Sequence, residues 1–445
     1  MPLKPPFLHR RSLLGLGALS ALSLRAGVWA QPLPGGNAPL EGGRLVVVFL
    51  RGAYDGLSAL VPYADSDYYA LRPNIAIAAP DGTPQTALRL DNTFALHPAL
   101  SPLLPLWQQG VLGFVPAAGL PAPNRSHFDA QYQMEIAQPG KTSGAPGWLN
   151  KLAGLRNGTA AALGVGEANP AILGGPAAVK LIPRGQAAER TGVLANDKTR
   201  QALLDLYAGD DKISEAFRRG AGSRMQSAQE LSTEKAAAGV RRNAMAERQL
   251  DRDGTPASAQ AQSAQMLAAS NGAPDPVGAQ LDAQHLGTLM RNDRSLRLGF
   301  LSAGGWDTHA NQGAATGQLA NNLGNLARGI AQLRQDFSEP GDVIVVMSEF
   351  GRTSAENGTR GTDHGFGNAM WLIGNRVAGG RWHGQWTGLA RGNLNEGRDL
   401  PAHHDYRAVL AQVLRRTFAL TDTQLATALP GASWDRRLDG LLARS

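Results

Sequence analysis

The chain reads as an α/β protein built on a mostly parallel central sheet with helices on both faces, and three observations lead there. Continuous apolar, β-branched runs recur along it: LVVVFL at residues 45–50, VLGFV at 111–115, LGFL at 298–301 and VIVVM at 343–347. Such runs, without polar alternation, are what strands covered on both sides require. Between the last two lies a helix-spaced stripe, Leu319, Leu323, Leu326, Ile330 and Leu333. Each strand-like run also empties into a segment carrying carboxylates, imidazoles or guanidinium groups, and open α/β sheets build their sites beyond the carboxyl ends of their strands.

Taken in order, residues 1–30 read as a twin-arginine export leader. His9-Arg10-Arg11-Ser12 precedes an apolar stretch over residues 13–24, and Val28-Trp29-Ala30 offers a cleavage point that would leave Gln31 as the mature end. The competing reading is a membrane anchor, but the stretch is short of the roughly 20 apolar residues that a span needs. The expected location is therefore the periplasm or the extracellular space, with no stable membrane insertion once the leader is removed. The leader also colours the charge. It carries Lys4, Arg10, Arg11 and Arg25 and no acid, so the formal +7 of the 445-residue chain falls to +3 for the remainder. No basic run or basic aromatic stripe follows, which argues against a nucleic-acid partner.

The first strand, residues 45–50, is bounded by Gly43 and Gly52. The strand at 298–301, the amphipathic stripe and the strand at 343–347 form a βαβ unit, so the two strands are expected to be parallel. Asp405 is placed to cap a helix from Tyr406 to about Phe418, with Val409, Leu410 and Val413 inward. Residues 198–292 differ. They are rich in Ala, Gln, Ser and Arg, show no strand, and lose their periodicity around Asp251-Arg252-Asp253-Gly254. They read as a helical insertion with a low-complexity centre near 250–275, within one large α/β domain spanning 31–445.

The chain has no cysteine. Disulfides, thiolate ligands and a cysteine nucleophile are excluded, so any metal must be held by carboxylates, imidazoles and other oxygens. GGWDTH, residues 304–309, is the most informative motif. In extended backbone, residues two apart share a side, so Asp307 and His309 could bind one cation; a turn Asp with a surface His is the alternative. In GTDHG, residues 361–365, Asp363 and His364 point opposite ways if extended, and could serve two metals or split direct and supporting roles. Asp55, in the RGAYDG loop after the first strand, and Glu349, at the end of the 343–347 run, complete the carboxylate candidates.

Ser126, in NRSHF, has two readings: a nucleophile activated by a metal or base, or the N-cap of the helix that follows. Arg51, Arg125 and Arg352 each neighbour a motif, and convergence of their planar guanidinium groups would make an anion pocket. His127 is assigned a supporting position, His97 a structural one, and His403 and His404 are held as reserve ligands.

In this order, the twin-arginine leader, VVVFLRGAYDGL, LHPAL, NRSHFDAQ, GGWDTHANQ, SEFGRT, GTDHGFGNAMWLIG and HDYRAVLAQVL resemble the bacterial family known as domain of unknown function 1501. That family is similar to the alkaline phosphatase-like superfamily of phosphatases and sulfatases. The resemblance implies a two-metal α/β hydrolase in which Asp55, Asp307, His309, Glu349, Asp363 and His364 hold metal and Ser126 is the nucleophile. Two departures stand out: the Asp/His pair is spaced by two where the superfamily usually has four, and Glu349-Phe350 replaces its late Asp-His pair at the strand end. Members of the family often lie in genomes beside another export family, which suggests an exported protein partner.

These readings lead to an exported metal-dependent hydrolase of phosphate or sulfate esters, with one or two divalent ions (Zn, Mn, Fe or Ca) and a metal-bound Ser126 nucleophile. The substrate would be a small anionic ester or an anionic glycan. The alternative is a non-catalytic periplasmic binding or assembly protein on a hydrolase-like scaffold. An exported oxidoreductase is weaker, since no Gly-rich dinucleotide fingerprint follows the first strand.

Overall fold

The computed structural model describes residues 42–155, 162–239 and 257–443. The expected leader and part of the low-complexity centre lie outside the described residues. In chain order the strands are β1 (Leu45–Leu50), β2 (Leu60–Val61), β3 (Leu88–Arg89), β4 (Ala95–Leu96), β5 (Leu112–Gly119), β6 (Ala162–Gly166), β7 (Lys180–Pro183), β8 (Leu298–Ala303), β9 (Val343–Ser348), β10 (Asn368–Ile373), β11 (Arg381–Trp382) and β12 (His404–Asp405). Strands β2, β4 and β3 form a small antiparallel sheet, and the rest build the central one in the order β11-β5-β10-β9-β1-β8-β6-β7, with β12 also pairing β5.

The central sheet is parallel throughout except at β10, which runs antiparallel to both β9 and β5. Strand β1 lies between β8 and β9, with Leu50 in register with Ala303 on one side and Ser348 on the other. Three chain segments therefore leave the sheet at one edge.

Both faces are covered. Leu45, Val47 and Phe49 of β1 pack into a core with the helices His127–Ile136, Trp148–Gly154 and Tyr406–Phe418, while Val46, Val48 and Leu50 face the helices Ala279–Asn292 and Gln318–Asp336. Alternate side chains of a strand point to opposite faces, so a strand buried on both needs an unbroken apolar run. The five apolar residues of the predicted stripe all lie on the buried side of Gln318–Asp336. Burying five such side chains contributes on the order of 10 kcal/mol before entropy is counted. Asp405 caps the helix Tyr406–Phe418 by accepting from the Arg407 backbone N–H at 2.9 Å.

Two features depart from the sequence reading. Strands β6 and β7 were not expected: ALGVG and KLIP are short and interrupted by Gly or Pro, too little for a periodicity to develop. Residues 198–292 do carry helices, but the last, Ala279–Asn292, is part of the main body, with Ala283, Leu286, Leu289 and Met290 in the core beneath β1 and β8. No helix among the described residues is long and apolar enough to cross a membrane.

Candidate metal centre

At the carboxyl ends of the parallel strands, four side chains meet. Asp307 and His309 come from the loop after β8, His127 from the first residue of the helix after β5, and His364 from the loop that leads into β10. Asp307 Oδ1 lies 3.3 Å from His127 Nε2, 2.9 Å from His309 Nε2 and 3.2 Å from His364 Nε2. His364 Nε2 lies 2.9 Å from His127 Nε2 and 3.0 Å from His309 Nε2.

The far side of each ring decides what these nitrogens are. His127 Nδ1 faces Glu349 Oε1 at 2.8 Å, His309 Nδ1 faces Asp363 Oδ1 at 3.0 Å, and His364 Nδ1 faces the Arg125 carbonyl at 2.8 Å. Carboxylates and carbonyls only accept, so each Nδ1 carries the proton and donates it. In the neutral rings the Nε2 lone pairs of His127 and His309 then each face that of His364, beside the Asp307 carboxylate. Lone pairs 2.9–3.0 Å apart repel unless positive charge lies between them. Protons or a single cation can supply it.

A cation fits. Bonds of about 2.0–2.1 Å, usual for zinc to imidazole or carboxylate, place tetrahedral ligands roughly 3.3 Å apart, and the distances here run from 2.9 to 3.3 Å. His127, Asp307 and His364 form the compact group, with all ligand atoms within 4.8 Å of one another. His309 lies outside that group on the more open side, its Nε2 2.9 Å from Asp307 Oδ1 and 3.0 Å from His364 Nε2. Asp307 and His127 are 4% and 8% exposed, whereas the His309 and His364 side chains are 29% and 25% exposed.

The charges respond to this crowding. Burial works against ionisation of Asp307, but hydrogen bonds from His127, His309 and His364 and the nearby Arg352 hold its pKa far below the usual carboxylate range. Burial also opposes the charge on His127, yet bonds to Asp307 and Glu349 raise it to about 9. His309 is raised chiefly by its hydrogen bond to Asp307.

The backbone is shaped for the approach. Gly52 has φ +109, a conformation open to glycine, and a Cβ there would lie 2.9 Å from the Asp307 nitrogen. Its own N–H donates to Glu349 Oε1 at 2.7 Å. A Cβ on Gly361 would come within 2.3 Å of the His309 backbone, so the loop carrying His364 closes against the one carrying His309 only because that side chain is missing.

Several residues singled out from the sequence have other partners. Asp55 lies away from the cluster: its fully buried carboxylate accepts from Arg72 Nη1 at 2.6 Å and Nη2 at 3.1 Å, from Ser58 at 2.7 Å and from Gln312 at 2.7 Å. Burial resists its charge, and Arg72 keeps its pKa low all the same. Gln312 in turn accepts from Thr308 and Thr362, so Asp55 braces both loops that carry the cluster without touching it.

Glu349 supports where a direct ligand was expected. Its Oε1 accepts from Gly52, His127 and Gln131 and its Oε2 from Ser348, which orients the His127 ring. Asp363 does the same for His309. His127, given a supporting position from the sequence, stands in the cluster instead. The signal available was its place just after a strand end in NRSHF, beside the two Asp/His motifs.

Ser126 Oγ caps the helix His127–Ile136, accepting from the Asp129 N–H at 3.4 Å. The anion pocket of Arg51, Arg125 and Arg352 does not form. Arg51 is fully buried between Glu135 and Glu167. Arg352 donates to Asp307 Oδ1 at 2.6 Å and to backbone carbonyls of Ala53, Gly52, Trp306 and Thr362. Arg125 alone stays near the surface, paired with Glu396 and Asp399. Of the reserve histidines, His404 pairs with Asp435 and His403 with Thr387; His97 accepts from the Ala99 N–H and faces the Ala314 carbonyl.

Comparison with known families places the chain. The family described as "Protein of unknown function (DUF1501)" matches residues 43–429, nearly all of the described fold, and the chain belongs to it. No curated protein matches the chain.

Proposed function

We propose that this DUF1501 protein is an exported, metal-dependent hydrolase of small anionic esters, of the phosphate or sulfate class, on an alkaline phosphatase-like scaffold. The observation that carries the reading is the convergence of three Nε2 atoms on Asp307 Oδ1, each ring fixed from behind by an acceptor. The donor set is rich in nitrogen. That suits zinc, manganese or iron, and disfavours calcium, which takes oxygen ligands. A divalent cation held there would act as a Lewis acid toward an ester oxygen and toward water.

The chain's own residues supply the rest. His127, Asp307 and His364 would hold the ion, with Glu349 and the Arg125 carbonyl fixing the rings. His309, on the open side and oriented by Asp363, is placed to move a proton between water and the leaving group. Water is the nucleophile in this reading, because the Ser126 hydroxyl is turned to its helix. Arg352 shares Oδ1 with the cluster and offsets the carboxylate charge.

Metal analysis of the purified protein, with a screen of phosphate and sulfate monoesters and diesters, tests the proposal. Metal-free protein, with any activity untouched by Asp307→Ala, would sink it. A second reading has an observation in its favour. If His309 also binds, four protein ligands close the coordination sphere, as in structural zinc sites. The protein would then be a binding or assembly factor, in keeping with an exported partner or an anionic glycan ligand, and would hold metal tightly without turnover.

A further inference from the structure

The hairpin over residues 395–399 carries a Glu where turn chemistry favours a shorter side chain or none. Asn395 and Asp399 exchange both backbone hydrogen bonds, at 2.8 and 3.0 Å, and the Arg398 N–H returns to the Asn395 carbonyl at 3.1 Å. The two residues at the bend, Glu396 and Gly397, have φ +55 and +64. Turns with both central residues left-handed favour Asn, Asp or Gly. Glu396 departs from that preference, and its carboxylate reaches out to Arg125 Nη2 at 2.8 Å.

What it meets is a pair of arginines tied to the cluster. Arg125 lends its carbonyl to His364 Nδ1, and Arg398 donates from Nη2 to the His364 carbonyl at 2.7 Å. Both guanidinium groups share Asp399 Oδ2, at 2.5 Å from Arg125 and 3.3 Å from Arg398, and Asp399 is fully buried. The two arginine side chains are about a third exposed, and Arg125 Nε has no hydrogen-bond partner although it is screened from solvent. A buried carboxylate thus anchors two cations at the solvent edge of His364.

We propose that Arg125 and Arg398, anchored by Asp399, form an oxyanion subsite beside the cluster, and that Glu396 is an internal occupant which the anionic group of a substrate displaces. The subsite replaces the three-arginine pocket expected from the motifs and supplies recognition of the anionic ester; it rests on the hydrolase reading for its biological use, but not for its existence. Displacement is feasible because the Arg125–Glu396 pair is solvent-exposed, and exposed pairs are weak and readily screened. The Asp399 contacts are buried and stay.

The test uses inorganic phosphate as the probe. Its affinity is measured by calorimetry at low ionic strength on the mature protein, before and after chelator treatment, with metal content determined in parallel. Glu396→Asn keeps a residue suited to the turn and removes the competitor, so phosphate affinity should rise about 2- to 5-fold. Glu396→Gln should behave alike and guards against a turn effect. Arg398→Gln should weaken phosphate about 10-fold, as for loss of a charge-assisted hydrogen bond. The variants should retain the wild-type metal content. Unchanged phosphate affinity in both Glu396 variants, with native melting curves, overturns the subsite. Phosphate shifts of the expected sign in a protein that never holds metal would leave the subsite standing and remove the hydrolase reading instead.

Discussion

His127 and Glu349 face each other across 2.8 Å, Nδ1 to Oε1, and this one contact decides which atom of His127 is free for chemistry. The carboxylate has also taken the Gly52 N–H and the Gln131 amide. It cannot swing away to bind a cation itself without abandoning three donors. Glu349→Gln should therefore lower metal affinity about 10- to 100-fold, the usual cost of losing such a support. Competition with a chromogenic chelator reads this directly, and an unaltered affinity would show that His127 is oriented by other means.

Asp55 and Arg72 form a buried bidentate pair away from the cluster. Asp55→Ala leaves Arg72 buried without its counter-charge, which should cost about 3–5 kcal/mol of stability. The folded fraction should still load metal as the wild type does. Loss of metal from protein shown to be folded would return Asp55 to the ligand set.

Asp307→Asn is expected to do the opposite. The amide keeps the shape, so most stability should survive, but the charge that draws three imidazoles together is gone. Metal content after dialysis should fall to background, and retention of stoichiometric metal would contradict the centre described here.

The pH response follows from His127. In the cation-free protein its pKa lies at about 9, against about 6.5 for a free imidazole. A raised folded pKa stabilises fully below about 6.5 and loses that contribution as pH climbs through about 9. A metal needs the proton gone, so its affinity should move the other way and rise across the same window. Melting curves of chelator-treated protein and metal titrations from pH 6 to 9 should show opposite slopes; parallel ones would refute the shared position.

Ser126→Ala separates cap from nucleophile. Loss of a weak N-cap costs about 0.5–1 kcal/mol, visible as a small fall in melting temperature. Any ester hydrolysis should continue at a comparable rate, and its abolition would restore the serine mechanism.

How much of this could be read from residues alone depends on distance along the chain. Strands β1, β8 and β9 and the helix Gln318–Asp336 declare themselves through unbroken apolar runs and a regular stripe, because burial on two faces constrains every position. Strands β6 and β7 are too short and too rich in Gly or Pro for that constraint to show. At the site, motif position at strand ends brings Asp307, His309 and His364 into view. It does not say which neighbour points inward, so His127 and Glu349 exchange places. Nor does it reveal partners from remote segments. Arg72 sits in no motif yet holds Asp55, and Glu135 and Glu167 bury Arg51 from two other elements.

Among the described residues, strand β10 is the only reversed member of the central sheet, and it stands next to β9. The chain therefore departs from one strand and re-enters its neighbour at the same rim, with Glu349 near the exit and His364 near the return. Asn368 ties the two feet together by donating to the Phe350 carbonyl at 2.8 Å. A supporting carboxylate and a member of the cluster thus belong to a single arch footed at both ends. Slackening either foot would loosen His127 through Glu349 and His364 through its own loop in the same movement, so the cluster would come apart as a unit rather than residue by residue.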